Sequence, residues 1–411
     1  MDTGGTTPAP LADHREAIQQ TFQELSTKSF RTLGLATKNT NGKRIIDKTD
    51  EVDMTFLGFI SLFDSPKEGI QETLATLQKL GIQIKMITGD NVLVAKAVAH
   101  TIGIETPGVL TGSSLRHLSV EALRHKVSTT HIFAEIEPIQ KEVIILALKN
   151  SGYVVGYMGD GINDASALHA ADVGISVESA VNVAKESADI VLLKQDLNVL
   201  IDGVREGRRT FTNTMKYIFM ATSANFGNMF SMAGASIFLP FLPLLPVQIL
   251  LTNLRTDLPE MTIASDNVDS TAIEKPAKWG MTFIRRFMMT FGLLSSVFDN
   301  LMFGLLLWVF KANESLFQTS WFIESVMSAS MIVLVVRTRQ VFYRSRPGKW
   351  LLLTTALIVL IVLLLPVGPL ERLFGFTPMP LSLYGVIIGV VISYVLSAEW
   401  LKHWFCRRYQ P

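Results

Sequence analysis

Hydrophobic and polar positions follow two rhythms along the chain. Up to about residue 210 short apolar runs alternate with amphipathic stretches, and beyond it long apolar runs dominate. "MTFLGFISLF" (54–63) is nearly continuous in apolar residues, which predicts a strand buried on both faces. "SPKEGIQETLATLQKLG" predicts a helix, with Pro66 near its start and Gly81 after its end. "IQIKMITGD" (82–90) reads as a second strand closing on Thr88-Gly89-Asp90, followed by a helix over about 91–101. "HIFAEI" (131–136) predicts a short strand and "IQKEVIILALKNSG" a helix, and "YVVGYMGDGINDASAL" (153–168) a strand that opens into a glycine-and-acid loop. Repeated β-α units of this kind predict a parallel, doubly wound sheet, whose ligands bind at the carboxyl ends of the strands.

A helix needs about 20 apolar residues to cross a bilayer. Six ranges in the second half qualify: about 215–238, 246–264, 287–310, 321–336, 350–367 and 381–400, the fourth being short enough to need its flanks. Basic residues in the connections set orientation. Lys275, Lys278, Arg285, Arg286, Arg337, Arg339, Arg344, Arg346, Lys349, Lys402, Arg407 and Arg408 fall on one side, against Lys311 and Arg372 on the other. The basic side, the C-terminal tail and the soluble half are therefore expected in the cytoplasm. "MDTGGTTPAPLADHRE" has no apolar core and does not read as a signal peptide. The net charge of +1 points to no acidic partner such as nucleic acid, and a single cysteine, Cys406, leaves no disulfide framework or cysteine metal site.

Polar groups inside such spans are costly and mark either a pathway or a helix contact. In "PVQILLTNLRTDLPEMTIAS", Asn253 and Asp257 lie four apart on one helix face, and Pro259 cannot donate to the carbonyl of Arg255. An amide, a carboxylate and freed carbonyls form an oxygen-rich set suited to Mg²⁺ or Ca²⁺. "TSANFGNMFS" adds Asn225 and Asn228, although amides beside Gly227 and Gly234 also serve simply to bind helices together. Asp299 and Glu324 fall where each could sit near a helix end, and Arg255 must snorkel, face headgroups or neutralise a carboxylate.

In the soluble half, Thr88 to Asp90, Lys141 and Asp160 to Asp164 all fall at predicted strand ends or helix starts, so they can converge. Asp160 and Asp164 are hard oxygen ligands four apart around Gly161, suited to Mg²⁺. Lys141 can neutralise phosphate oxygens, and the Thr88 hydroxyl can donate to one. The set suits phosphoryl transfer by positioning and charge neutralisation. Taken alone, Gly-Asp-Gly would read as a turn; three clusters in this order do not.

"MITGD", "GYMGDGINDASALHAADVGISV" and "AKESADIVLL" resemble the C-terminal part of the phosphorylation domain of P-type cation ATPases. "LFDSPKE" is similar to that family's hinge, and "PIQKEVIILAL" to the segment with its phosphate-contacting lysine, here Lys141. "SDNVDSTAIEKPAKW", "GLLSSVFDNLMFG" and "LFQTSWFIESVMSASMIVLVVRTRQ" resemble the magnesium-transporting branch, whereas "NLRTDLPEM" is as similar to the calcium branch. The resemblance runs from about residue 15 to the end. It implies a haloacid-dehalogenase-like, Rossmann-type parallel-sheet phosphorylation domain, incomplete, followed by an all-α six-helix transmembrane bundle. The implied divisions are a nucleotide-domain remnant over 1–50, the phosphorylation domain over 51–205 and the membrane domain over 206–411.

By the same resemblance Asp160 and Asp164 hold a catalytic Mg²⁺, Thr88, Gly89 and Asp90 organise the phosphate site, and Asn163 contacts it. ATP and its phosphate would meet Asp64, Thr88, Gly89, Asp90 and Lys141, and the transported cation Asn225, Asn253 and Asp257. The implied protein is a multi-pass cell-membrane pump driven by ATP, moving Mg²⁺, or else Ca²⁺ or another cation. It implies as partners lipid, the transported cation, and a further N-terminal part with an actuator, four helices and the phosphorylated aspartate.

Asp47-Lys48-Thr49 spells the start of the family's phosphate-accepting run, but "KNTNGKRII" before it is polar and turn-rich, and Asp50 replaces the family's glycine. Only 41 positions separate Asp47 from Thr88, where the family inserts a nucleotide-binding domain. Asp64 follows an apolar run and precedes Thr88 by 24, a spacing that suits a small phosphatase, but Pro66 stands where its general acid would be. Two classes stay open: the C-terminal part of an ATP-driven cation pump, and a non-catalytic membrane subunit.

Overall fold

The structure is a computed structural model that describes residues 9–39, 47–63, 66–104, 108–194, 196–367 and 374–409. Its contacts divide the chain into two units, Met1–Asp202 and Gly203–Pro411.

The first unit opens with helix α1 (Leu11–Thr27), strand β1 (Phe30–Thr37) and strand β2 (Thr55–Phe63). β2 does not join the parallel sheet that its apolar run predicts. It pairs antiparallel with β1, from Phe30 opposite Phe63 to Thr37 opposite Thr55. Continuous apolarity sets a demand for burial but not a direction of pairing, and the nearby run "FRTLGLAT" supplies a local partner. α1 packs on the hairpin, with the Phe22 and Phe59 rings 6.2 Å apart, while Leu33, Leu57, Ile60 and Leu62 stay exposed.

Helix α2 (Ile70–Lys79), strand β3 (Met86–Ile87), helix α3 (Val92–Thr101), strand β4 (Val109–Thr111), helix α4 (Gly112–Arg116), helix α5 (Val120–Thr129), strand β5 (Ile132–Ala134) and helix α6 (Pro138–Asn150) follow. Then come strand β6 (Gly156–Met158), helix α7 (Ala165–Ala170), strand β7 (Val173–Val177), helix α8 (Asn182–Glu186) and strand β8 (Ile190–Leu192). The strands form two parallel three-stranded sheets, ordered β3-β5-β4 and β6-β7-β8. The predicted strand over 82–90 shrinks to the two residues of β3. Phe133, Ile144, Leu148, Val127 and Leu168 make the core, each such burial stabilising by about 1.5–3 kcal/mol. α6 begins at Pro138, and the Gln140 side chain accepts from Glu137 N at 3.0 Å while donating to Gly112 O at 2.9 Å. Gly112 is required there, because a Cβ would run into the backbone of Glu135.

Helix α9 (Asn198–Phe238) carries the chain into the second unit, which continues through α10 (Pro246–Thr262), α11 (Ser270–Glu274), α12 (Met281–Gly304), α13 (Glu314–Val336), α14 (Lys349–Leu364) and α15 (Leu381–Arg408). Among the described residues four stretches are long and apolar enough to cross a membrane: Met281–Val309, Glu314–Val336, Lys349–Val367 and Leu381–Arg408. Length and composition thus support four of the six expected spans and leave those over 215–238 and 246–264 without that support. α10 has only 17 residues and carries Arg255, Asp257 and Glu260, and the membrane half of α9 is diluted by Thr, Ser and Asn. α13 is the central helix: 78% of its apolar window is buried against 33% for each of the other three. Trp321, Phe317, Phe322 and Val326 on α13 pack with Phe303 of α12 and Leu383 and Ile387 of α15.

α9 and α12 approach closely at two glycines. A Cβ on Gly292 would lie 2.6 Å from Phe226 Cδ1, and one on Gly227 would lie 3.0 Å from Ser295 Cβ. Small residues let helix backbones meet in this way without lipid-facing cost. Ser296 Oγ, donating to Gly227 O at 3.1 Å, fixes the crossing.

Candidate functional site

The first unit concentrates chemistry where β3 and β6 end. Thr88 leaves β3 with its N–H donating to Phe133 O at 2.9 Å, and Ile136 N donates back to Thr88 O at 3.0 Å. Glu135, held in the left-handed region at φ 56°, donates its N–H to Asp90 O at 2.9 Å. These bonds fasten the Thr88-Gly89-Asp90 turn to the exit of β5. Thr88 Oγ1 donates to Asp90 Oδ2 at 2.9 Å and accepts from Asp90 N at 3.1 Å, so the hydroxyl proton is already committed to Asp90. To donate to a phosphoryl oxygen it must rotate away. Gly89 is exposed at the tip of the turn.

The second cluster gathers on Asp164. Its Oδ1 accepts from Lys141 Nζ at 2.7 Å and from Tyr157 OH at 2.6 Å, and its Oδ2 accepts from Gly161 N at 3.1 Å. Lys141 comes from the first turn of α6 and Tyr157 from β6, so two elements converge on one carboxylate. Gly159 makes the fold-back possible, because a Cβ there would sit 2.6 Å from Asp164 Cβ. Burial works against the charge of Asp164, yet Lys141, Tyr157 and the Gly161 N–H together hold its carboxyl below the usual range. Burial, and next the bond to Asp164, push the Tyr157 phenol upward.

A carboxyl lowered on folding contributes stability above its unfolded value, about pH 4, and loses that contribution as pH falls through the folded value. Urea titrations of the whole chain should therefore show wild type more stable than Asp164→Asn at pH 7, with the gap closing only below about pH 4. A gap independent of pH would contradict an ionised Asp164.

Asp160 is exposed, and its carbonyl accepts from Val181 N at 3.1 Å; Asn163 is exposed on the same turn. The donor set fits a Mg²⁺ ion: two hard carboxylates, with Oδ2 of Asp164 taking a single N–H and Asp160 open to solvent. Among the described residues no group of three or more His, Cys, Asp or Glu gathers as a metal site, so any such ion must complete its shell with water or phosphate oxygens.

A cavity of about 590 Å³ adjoins both sheets, lined by Met86 and Thr88 of the β3 end, Asp90, Met158 of β6, and Val177 of β7. Lys141, Asp160 and Asp164 lie off this lining, although Met158 stands two residues before Asp160. Arg31 of β1 also lines it, with Nε 3.7 Å from Asp90 Oδ1. Neither Arg31 nor Tyr157 stood out in the sequence: an arginine on an exposed strand and a tyrosine in an apolar one carry no local signal of a site.

Asp47 caps a single turn over Lys48–Asp50, where it accepts from Thr49 N at 2.8 Å and Thr49 Oγ1 at 2.5 Å. It is exposed. Asp64 lies outside the described residues.

In the second unit Asn225, Asn253 and Asp257 are all exposed, so no enclosed site gathers them. Pro259 lies within α10 without ending it, and Arg255 is half-buried with its Nε lacking a hydrogen-bond partner. Asn228 faces inward, and its Oδ1 accepts from Ser325 Oγ of α13 at 3.2 Å.

A family model described as cation transporting ATPase, C-terminus, matches residues 241–404, and one described as haloacid dehalogenase-like hydrolase matches residues 5–172. The chain is 42% identical over 407 residues to a magnesium-transporting ATPase, P-type 1, of Salmonella typhimurium, covering 97% of this chain and 45% of that protein. It is 42% identical over 398 residues to the Escherichia coli K12 protein of the same description, covering 95% and 44%. A calcium-transporting ATPase of Bacillus subtilis is 28% identical over 396 residues, covering 93% and 44%. The chain spans about half the length of the curated relatives it matches.

Proposed function

Since the chain belongs to the P-type cation-transporting ATPases, we propose that it supplies the phosphate site and the C-terminal membrane helices of a pump that moves a divalent cation, Mg²⁺ first, using ATP. The observation that carries this is the cavity at the inner ends of two separate parallel sheets, bordered by Thr88, Asp90 and Met158. β3 and β6 each pair on one side only among the described residues, so a further parallel strand can enter between them. A carboxylate at the end of that strand would face Thr88 and Asp90 and accept phosphate, with the rest of the pump supplying the strand.

In such a site Lys141 fixes Asp164 and keeps it ionised, and Tyr157 holds the same oxygen from the far side. Asp90 holds the Thr88 hydroxyl until a phosphoryl oxygen competes for it. Asp160 and Asp164 would hold Mg²⁺, which when bound neutralises phosphate charge, and Asn163 would contact the phosphate site. ATP is the donor, and Arg31 is placed to meet its phosphates at the cavity.

For transport, α9 and α10 join the four apolar helices as two further spans, with the basic loops, the soluble unit and the C-terminus on the cytoplasmic side of a cell membrane. Asn225, Asn253 and Asp257 present oxygen toward helices that the pump adds, which would close a cation path over side chains left exposed here. The test is cation-dependent ATP hydrolysis by this chain co-expressed with the N-terminal part of the Salmonella relative. Half-maximal activity should require Mg²⁺ rather than Ca²⁺, and Asp257→Asn should raise the required concentration at least ~10-fold. Ca²⁺ dependence would move the pump to the other branch, and an unchanged requirement in Asp257→Asn would remove that residue from the path. No hydrolysis under any cation would favour a non-catalytic subunit.

A further inference from the structure

Asp164 uses nearly all of its acceptor capacity inside the protein. A carboxylate offers about four lone-pair positions, two on each oxygen. Lys141 Nζ at 2.7 Å and Tyr157 OH at 2.6 Å fill both positions on Oδ1, and Gly161 N at 3.1 Å fills one on Oδ2. A single position is left, on Oδ2. The carboxyl has little room to turn and offer more. It lies against Gly159, where a Cβ would come 2.7 Å from its Cγ and 3.0 Å from Oδ2, and the residue is only 7% exposed.

Charge does not require the second donor on Oδ1. Lys141 alone neutralises Asp164, in an ion pair whose side chains are 15% and 10% exposed. Packing does not require it either. The Tyr157 ring lies in the core cluster with Phe133 and Leu168, where phenylalanine would fill the same space without taking a hydroxyl out of water. What the hydroxyl adds is closure of Oδ1. Two hard cations respond to that closure in opposite ways. Ca²⁺ gathers about six to eight oxygens and commonly takes both oxygens of one carboxylate. Mg²⁺ keeps a strict octahedron, completed by water, and needs only one.

We propose that Tyr157 is a specificity-determining positioning residue of the phosphate site: together with Lys141 it limits Asp164 to one donor oxygen, which admits Mg²⁺ and disfavours Ca²⁺. This rests on the reading of Asp160 and Asp164 as the Mg²⁺ holders and goes beyond it, since two carboxylates four residues apart suit either ion. The hydroxyl acts through Asp164, as a group that orients a metal ligand. It bears on the metal at the phosphate site and not on the cation that crosses the membrane.

The full chain in lipid nanodiscs is titrated with Mn²⁺, which shares the octahedral oxygen preference of Mg²⁺ and whose free ion is counted by electron paramagnetic resonance. The binding that Asp160→Asn removes marks the site, and Mg²⁺ and Ca²⁺ then compete for it. In wild type Ca²⁺ should be the weaker competitor. Tyr157→Phe should strengthen Ca²⁺ relative to Mg²⁺ at least ~10-fold, the scale on which a ligand-orienting group acts. A ratio within ~3-fold of wild type would overturn the role of Tyr157 while leaving the metal site in place. Equal Mn²⁺ binding by Asp160→Asn and wild type would remove the site itself, and the proposal with it. Should Tyr157→Phe fail to fold, the infrared carboxylate bands of wild type in Ca²⁺ decide. Those missing from Asp164→Asn must show the wide splitting of a carboxylate bound through one oxygen; the narrow splitting of two-oxygen binding would overturn the proposal.

Discussion

Replacing Asp266 by alanine should destabilise the membrane unit by about 3–5 kcal/mol, the cost of removing one partner from a buried ion cluster. The Asp266 side chain has no solvent exposure, and its Oδ2 accepts from Lys216 Nζ at 2.7 Å and Arg337 Nη1 at 3.0 Å. Its Oδ1 also accepts from Gly348 N at 2.7 Å. Three chain segments meet on this one carboxylate: Lys216 from α9, Arg337 at the end of α13 and Gly348 just before α14. Asp269 takes the neighbouring hydroxyls, from Thr338 and Ser345, at 2.7 Å each. Without Asp266, Lys216 and Arg337, only 6% and 3% exposed, lose the one carboxylate with which both form an ion pair. Asp266→Asn, which keeps the shape and removes the charge, should also cost stability. Thermal unfolding of the chain in detergent reads both variants. Melting temperatures within a degree or two of wild type would show that the cluster is decorative.

The second large effect concerns Lys141. Lys141→Met should lower phosphoryl transfer by the assembled pump at least ~10²-fold, the range found when a preorganised electrostatic partner is removed. The Lys141 side chain is only 15% exposed and its Nζ sits 2.7 Å from Asp164 Oδ1, so its loss leaves a buried carboxylate held by Tyr157 and Gly161 alone. Asp164 then binds protons more readily and holds a metal less firmly. Lys141→Arg should recover only part of the rate, because a planar guanidinium cannot occupy the position of a compact ammonium. Equal activity in Lys141→Met and wild type would place this lysine outside the reaction.

How much of this was legible in the sequence depends on the range of the interaction. α3, α6 and the loop after β6 were legible because each rests on local signals: Asn91 accepting from Val94 N, Pro138 at the start of α6, and glycines flanking Asp160. β2 was not, because the partner of an apolar strand is a non-local choice. The same holds for the second unit. Asp257 drew attention as a carboxylate sharing a helix face with Asn253, yet it is exposed; Asp299 and Glu324 fell where each could sit near a helix end, yet both are buried. Sequence spacing places side chains on a face of their own helix and says nothing of which face the bundle covers. Arg31 and Tyr157 show the same limit in the soluble unit, since their importance comes from what they touch across the fold.

The central proposal is that the phosphate site lies on this chain and the phosphate acceptor on the N-terminal part of the pump. It is tested by incubating γ-labelled ATP and Mg²⁺ with the purified chain, alone and co-expressed with the N-terminal part of the Salmonella relative, and locating any hydroxylamine-labile label. The account predicts none on the chain alone, and label on the complementary part that is lost when this chain carries Lys141→Met. Label on this chain, at Asp47, Asp64 or any other aspartate, would contradict it.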